Sequence, residues 1–188
     1  MTGAGKGGSG GREVQSREVE AREVEVRAVT PEEWVTLREV RLAALADSPQ
    51  AFASTLEREL GFGEQRWRSW IESSSVFLAW RDGQPVGMAA GVADDARRAD
   101  SVPGSWHVVA MWVRPQERGR GSAGKIIEAV AERARASGAA RLVLWVTDVN
   151  PRAGAFYERL GFRRTGVRQL VRPGEPDHWE EQLIRELG

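Results

Sequence analysis

HVVAMWVRPQERGRGSAGKIIEAVAERARASG, residues His107 to Gly138, changes character twice along its length. His107 to Val113 is an apolar run that reads as a buried strand. Arg114-Pro115 stops it, because proline has no N–H to give to a ladder. Gln116-Glu117-Arg118-Gly119-Arg120-Gly121-Ser122-Ala123 follows as a turn, after which the period becomes helical. Ala123, Ile126, Ile127, Val130, Ala131 and Ala134 share one face, with Lys125, Glu128, Glu132 and Arg135 elsewhere. Ser137-Gly138 supplies a glycine stop. The order strand, glycine-rich turn, helix puts free amide N–H groups and a partial positive charge at the helix start, which suits a phosphate. Gly119 and Gly121 let the backbone approach a bulky anion, and Arg118 and Arg120 add charge at its mouth. Glycines also occupy such turns for packing alone, so the pair by itself defines no ligand.

Two nucleotide motifs can be set against this stretch. A Walker A loop needs G-x-x-x-x-G-K-[ST]; Gly119 and Gly124 lead to Lys125, but Ile126 follows. The dinucleotide fingerprint G-x-G-x-x-G is met in spacing by Gly119, Gly121 and Gly124, and Asp148 stands near the end of the next strand. The turn comes late in the chain rather than opening a βαβ unit, yet spacing alone leaves a dinucleotide open.

The stretch resembles the GNAT superfamily, the acyl-CoA-dependent N-acyltransferases, whose signature [Q/R]-x-x-G-x-[G/A] is matched by Gln116-x-x-Gly119-x-Gly121. A second block, LVLWVTDVNPRAGAFYERLGF from Leu142 to Phe162, resembles another family series through Asn150, Ala153, Tyr157, Gly161 and Phe162. The likeness in architecture runs from Val24 to Leu187. It implies an α/β (α+β) fold: a mixed, mostly antiparallel sheet of about six or seven strands, helices on both faces, and a splayed central strand pair.

The resemblance also implies a site. The backbone of Met111, Trp112 and Val113 would pair with the pantetheine arm and hold the thioester oxygen. Amides from Arg118, Gly119, Arg120, Gly121, Ser122 and Ala123 would hold the pyrophosphate, and Asn150, Ala153, Phe156 and Tyr157 would line the arm. Tyr157, the chain's single tyrosine, falls on the family's general-acid position, and its ordinary pKa of ~10 suits giving a proton to a departing thiolate. The alternative for Tyr157 is plain aromatic packing, and Asn150 also reads as a helix cap. Many relatives carry a glutamate base in the strand after the main helix, where this chain has Trp145. Glu57 and Glu59 are then the candidate catalytic bases, ahead of His107, with solvated helix charges as their plain alternative. Ser54 and Thr55 are candidate acceptor contacts, and Asp148 a group that could recognise a cationic amine. The implied co-substrate is acetyl-CoA, without a metal. The implied acceptor is a small amine, with a protein N-terminus or lysine second and a non-catalytic acyl-CoA-binding module third; Tyr157 argues against the third.

Composition narrows the field further. Lys and Arg number 27 against 27 Asp and Glu, so no net charge points to nucleic acid or a membrane surface. With no cysteine there is no disulfide, thiolate metal site or cysteine nucleophile, which agrees with direct transfer between two bound substrates. No apolar run approaches the ~20 residues of a membrane span, and the first residues lack the apolar core of a secretory signal. The reading is a cytoplasmic monomer or homodimer. Of the eight tryptophans, Trp34, Trp67, Trp70 and Trp112 fit core positions, whereas Trp106 and Trp179 could line a pocket.

Domain organisation follows from the ends inward. Residues 1–22 read as a flexible extension: Met1 to Gly11 is glycine-rich, and Arg-Glu-Val recurs from Arg12, Arg17 and Arg22 at a period that fits neither helix nor strand. Residues 23–188 read as one domain. A strand from Val24 to Val29 should face inward with Val24, Val26 and Ala28. Thr30-Pro31-Glu32-Glu33 signals a helix start, leading to Trp34, Leu37, Val40 and Ala44. A helical pair ends with Trp67, Trp70 and Ile71. Val76 to Arg81 and Pro85 to Val92 flank the hairpin signal Asp82-Gly83, and Asp94 to Gly104 reads as a polar loop. Arg141 to Val146 is a buried strand, Asn150-Pro151 starts a helix that Gly161 ends, and Phe162 to Val171 and His178 to Leu187 close the sheet.

Overall fold

Turn chemistry fixes the first hairpin. Asp82 and Gly83 take φ of 51° and 74°, the left-handed pair that a two-residue hairpin turn needs. They join β2 (Ser75–Arg81) to β3 (Gln84–Ala93). Proline is tolerated at Pro85 because the register slips beside its partner Trp80. The computed structural model describes residues 23–97 and 101–188; the sequence readings for the N-terminal extension and the Arg-Glu-Val repeat lie outside the described residues.

The remaining strands are β1 (Glu25–Ala28), β4 (Ser105–Val113), β5 (Arg141–Thr147), β6 (Arg163–Leu170) and β7 (Trp179–Glu186). The sheet runs β1-β2-β3-β4-β5-β7-β6. Neighbours are antiparallel except β4 and β5. Helices α1 (Trp34–Asp47), α2 (Leu56–Leu60) and α3 (Glu64–Ser73) precede the hairpin, α4 (Ser122–Ala136) joins β4 to β5, and α5 (Pro151–Arg159) follows β5.

Two apolar clusters hold helices to opposite faces of the sheet. One gathers Ile126, Ile127, Val130, Ala131 and Ala134 of α4 with Phe77, Ala89, Leu142 and Leu144, the stripe that the helical period marks. The other gathers Leu37, Val40, Ala44 and Leu45 of α1 and Trp67 and Ile71 of α3 with Leu78, Met88, Ala90 and Trp112. The Thr30 start holds: the Glu33 carboxylate accepts from the Thr30 amide at 3.0 Å and from both ends of the Arg27 guanidinium at 2.9 and 2.7 Å. One expected face is corrected. Val24 and Val26 join the α4 cluster, but Ala28 is exposed and Val29 is buried in the α1 cluster, because the chain leaves the edge strand toward the opposite face.

α4 lies close on β3 because two strand positions have no side chain. A Cβ on Gly87 would meet the Trp112 carbonyl at 2.9 Å and the Ile126 Cδ1 at 3.0 Å. One on Gly91 would meet the Trp106 ring at 2.8 Å and Val130 at 2.9 Å. Gly87→Ala therefore overpacks a dense interior and should cost about 1–3 kcal/mol, read as a lower urea midpoint with an unchanged slope; wild-type stability would show that β3 and α4 separate freely.

Candidate functional site

β4 and β5 pair for three residues, Ser105, Trp106 and His107 against Arg141, Leu142 and Val143. From Val108 to Val113, β4 has no ladder on that side, while β5 stays paired with β7 to Thr147. The two strands thus splay into a cleft walled by backbone. On the β3 side, Val109 pairs with Ala90 and Trp112 with Met88, so Ala110 and Met111 oppose Ala89 alone. This is a β-bulge that bends the strand. Ala110 carries it at φ 56°, a left-handed conformation that costs a non-glycine residue about 1–2 kcal/mol.

At the upper end of β4 the glycine turn leads into α4. Gly119 and Gly121 take φ of 80° and 84°, and a Cβ on either would meet nothing within 4 Å. These glycines therefore serve a backbone shape beside open space, not close packing. Gly121 is the N-cap of α4 and offers no side-chain cap, so the first-turn amides lack an intrahelical partner. Ser122 is buried, and its Oγ has no partner. Arg118 departs from expectation: its Nε donates to the Val113 carbonyl at 3.0 Å and its Nη2 to the Asp47 carboxylate. Its charge is spent on the protein's own carboxylate. Arg120 is exposed, at 3.3 Å from Glu117.

α5 forms the facing wall. Asn150 Oδ1 accepts from the Ala153 amide at 3.1 Å, so this side chain does cap its helix. Tyr157 is 8% exposed and sits in the α4 cluster with Val113, Leu144 and Val146, bordered by Met111, Ala123, Ala153 and Phe156. Its ring lies 5.2 Å from Phe156 and 5.7 Å from Phe162. Burial pushes its hydroxyl well above the ordinary tyrosine value. Residues singled out from strand, turn and helix thus border one apolar cluster.

The candidate bases do not join them. Glu57 is exposed on α2. Glu59 is 5% exposed, neither solvated nor free: its two oxygens accept from Arg41 Nε and Nη2 at 3.0 and 2.8 Å. Arg41 lies 4.6 Å over the Phe52 ring, and the pair faces a cavity of about 380 Å³ that Arg58, Arg66 and Trp70 also line. His107 is buried at the paired end of β4, with Nε2 3.1 Å from Asp94. Asp148 is engaged by Arg168, which lies over Trp179. Trp179 is 38% exposed, whereas Trp106 packs on the α4 cluster away from the open half of β4.

Two contacts around the end of α1 escape a reading of the sequence. Arg172, in the β6–β7 connection, donates to the Pro49 and Phe52 carbonyls at 2.6 and 3.1 Å, clasping that connection to the segment after α1. Asp47, the last residue of α1, accepts from the Trp112 indole at 2.9 Å. Neither Arg-Pro-Gly nor Ala-Asp-Ser carries a local signal for such a partner.

Residues 40–162 match the acetyltransferase (GNAT) family. The chain is 32% identical over 142 residues to a mycothiol acetyltransferase of Thermobispora bispora and 28% identical over 137 residues to one of Catenulispora acidiphila. Those matches take in 75% and 72% of this chain but 45% and 41% of the relatives, so the chain spans less than half their length. Among solved structures, a putative acetyltransferase from Salmonella typhimurium with its cofactor acetyl-CoA aligns at TM-score 0.70 and 17% identity, over 89% of this chain and 95% of that one. A ribosomal-protein-alanine N-acetyltransferase from Brucella melitensis aligns at 0.69 and 18%, over 86% and 99%. At these identities the structures share the fold.

No group of three or more His, Asp or Glu side chains among the described residues could hold a metal ion, and no described helix is long and apolar enough to cross a membrane. Glu59→Gln should lower stability by about 3 kcal/mol, since it leaves a buried guanidinium without its charge partner. Glu57→Gln should change stability by less than about 0.5 kcal/mol. Urea denaturation of both variants checks this, and equal stabilities would deny the buried pair its structural role.

Proposed function

Because the chain belongs to the GNAT acetyltransferase family, we propose that it moves the acetyl group of acetyl-CoA directly to a primary amine of a small molecule. The observation that carries this reading is the cleft itself. An unpaired stretch of β4 backbone ends at a turn whose amides have no cap, beside a buried Ser122 hydroxyl without a partner. An extended amide-bearing arm can complete such a strand, and a diphosphate can fill such a turn. The relatives named mycothiol acetyltransferases support a small molecule over a protein as acceptor.

Acetyl-CoA, when bound, supplies the acetyl group activated as a thioester. Amides of the turn between Gly119 and Ala123 hold its diphosphate. Cleft-facing β4 amides between Met111 and Val113 hold the carbonyl oxygen while negative charge builds on it. Asn150, Ala153 and Phe156 flank the pantetheine arm. The acceptor nitrogen must be neutral to form the new C–N bond as the C–S bond breaks. Its proton passes to solvent water, since Glu57 is exposed on α2 apart from the Tyr157 cluster and Arg41 occupies Glu59.

Tyr157 donates to the sulfur as it departs. Burial disfavours the phenolate, so Tyr157 keeps its proton across the working range. The same dry surroundings raise the proton affinity of a thiolate, which keeps donor and acceptor matched. No enzyme nucleophile is needed.

A thiol-release assay with acetyl-CoA against a panel of small amines and peptides tests the reading. Tyr157→Phe should lower kcat about a hundredfold or more, with CoA affinity within about twofold of wild type. The wild-type profile should show no loss from tyrosine ionisation up to about pH 10. Unchanged turnover in Tyr157→Phe would remove this residue from the chemistry, and thiol release with peptides alone would replace the small-molecule acceptor.

A further inference from the structure

The glycine turn is weakly held by its own backbone. Past the Glu117 amide, which donates to Arg114 at 2.9 Å, its hydrogen bonds, from the Arg118 amide to Pro115 and from the Arg120 amide to Glu117, are 3.3 and 3.4 Å long, near the limit of a useful bond. Two glycines within it lack side chains to pack. Side chains from outside supply what the backbone does not. Arg81, at the end of β2, donates to Glu117 at 2.7 Å, and both groups are largely buried. From the other side, Asp47 receives Arg118.

Asp47 is where the two halves of the cleft meet. It ends α1, on the face opposite α4, and accepts from three donors: Ser48 Oγ at 2.7 Å, Trp112 Nε1 at 2.9 Å and Arg118 Nη2. Partial burial pushes its carboxyl up, but the hydrogen bonds from Ser48, Trp112 and Arg118 outweigh this and hold it below the ordinary aspartate value. Arg118 in turn grips the Val113 carbonyl through Nε. A single carboxylate therefore fixes the end of β4, the start of the turn and the segment that leaves α1.

We infer that Asp47 is a positioning residue for the cofactor turn, holding Arg118 so that the amides after it stay arranged for a diphosphate. This rests on the acetyl-CoA reading of the site. Asp47 touches no reacting atom and acts through Arg118. A freed Arg118 would add a screened, half-exposed positive charge near the diphosphate, which favours binding slightly. Loss of the strap instead lets a glycine-rich segment sample many conformations that binding must again suppress. The second effect is the larger, so removal of the carboxylate charge weakens cofactor binding.

Asp47→Asn separates this role from simple satisfaction of the buried indole, because the asparagine oxygen still accepts from Trp112. Calorimetry with CoA should show Kd raised about five- to tenfold. At saturating acetyl-CoA, kcat should stay within about twofold, and Tm within about 3 °C. In an Arg118→Gln background, Asp47→Asn should change Kd no further, since both act on one contact. A wild-type or tighter Kd in Asp47→Asn, or effects of the two variants that multiply, would overturn the inference. If wild-type protein itself binds no CoA, the functional reading fails and takes this inference with it. If wild type binds and Asp47→Asn binds equally, only the inference falls.

Discussion

The contact between β4 and β5 ends after three residues, and the cleft exists because it ends there. Backbone N–H and C=O groups removed from a ladder need other partners, so a strand released in mid-sheet is a binding surface by construction. Two features keep the release permanent. β5 is committed along its whole length to β7, and the bulge at Ala110 bends β4 within its ladder to β3. The left-handed alanine is backbone strain that the well-packed strands on either side can hold.

The two helical layers then divide the labour. The α4 and α5 layer sets the exposed glycine turn beside the buried Ser122 and beside Tyr157, which packs in the apolar cluster. The α1–α3 layer carries charge differently: Arg41 and Glu59 neutralise each other beneath Phe52, and Arg172 clasps the segment after α1. Asp47 ties the end of α1 to β4 through Trp112 and to the turn before α4 through Arg118.

What the sequence made legible was chemistry confined to short stretches. The period of α4, the Asp82-Gly83 turn, the Thr30 and Asn150 starts and the glycine turn each declare themselves within a few residues, and the structure places them as read. Contacts between distant residues left no such trace. Glu59 meets Arg41 across 18 residues, Arg118 meets Asp47 across 71, and Arg172 meets Phe52 across 120. None of these side chains differs in sequence from an ordinary surface charge. Ala110 hides for another reason: alanine announces no positive φ, so the bulge appears only once β3 and β4 are in register.

The account stands or falls on backbone amides gripping a coenzyme, and amide resonances report them directly. Titrating ¹⁵N-labelled protein with CoA should move the signals of Gly119 to Ala123 and of Met111 to Val113 together, to a common saturation point. A titration that leaves those amides unmoved, whether other residues shift or none do, would contradict it.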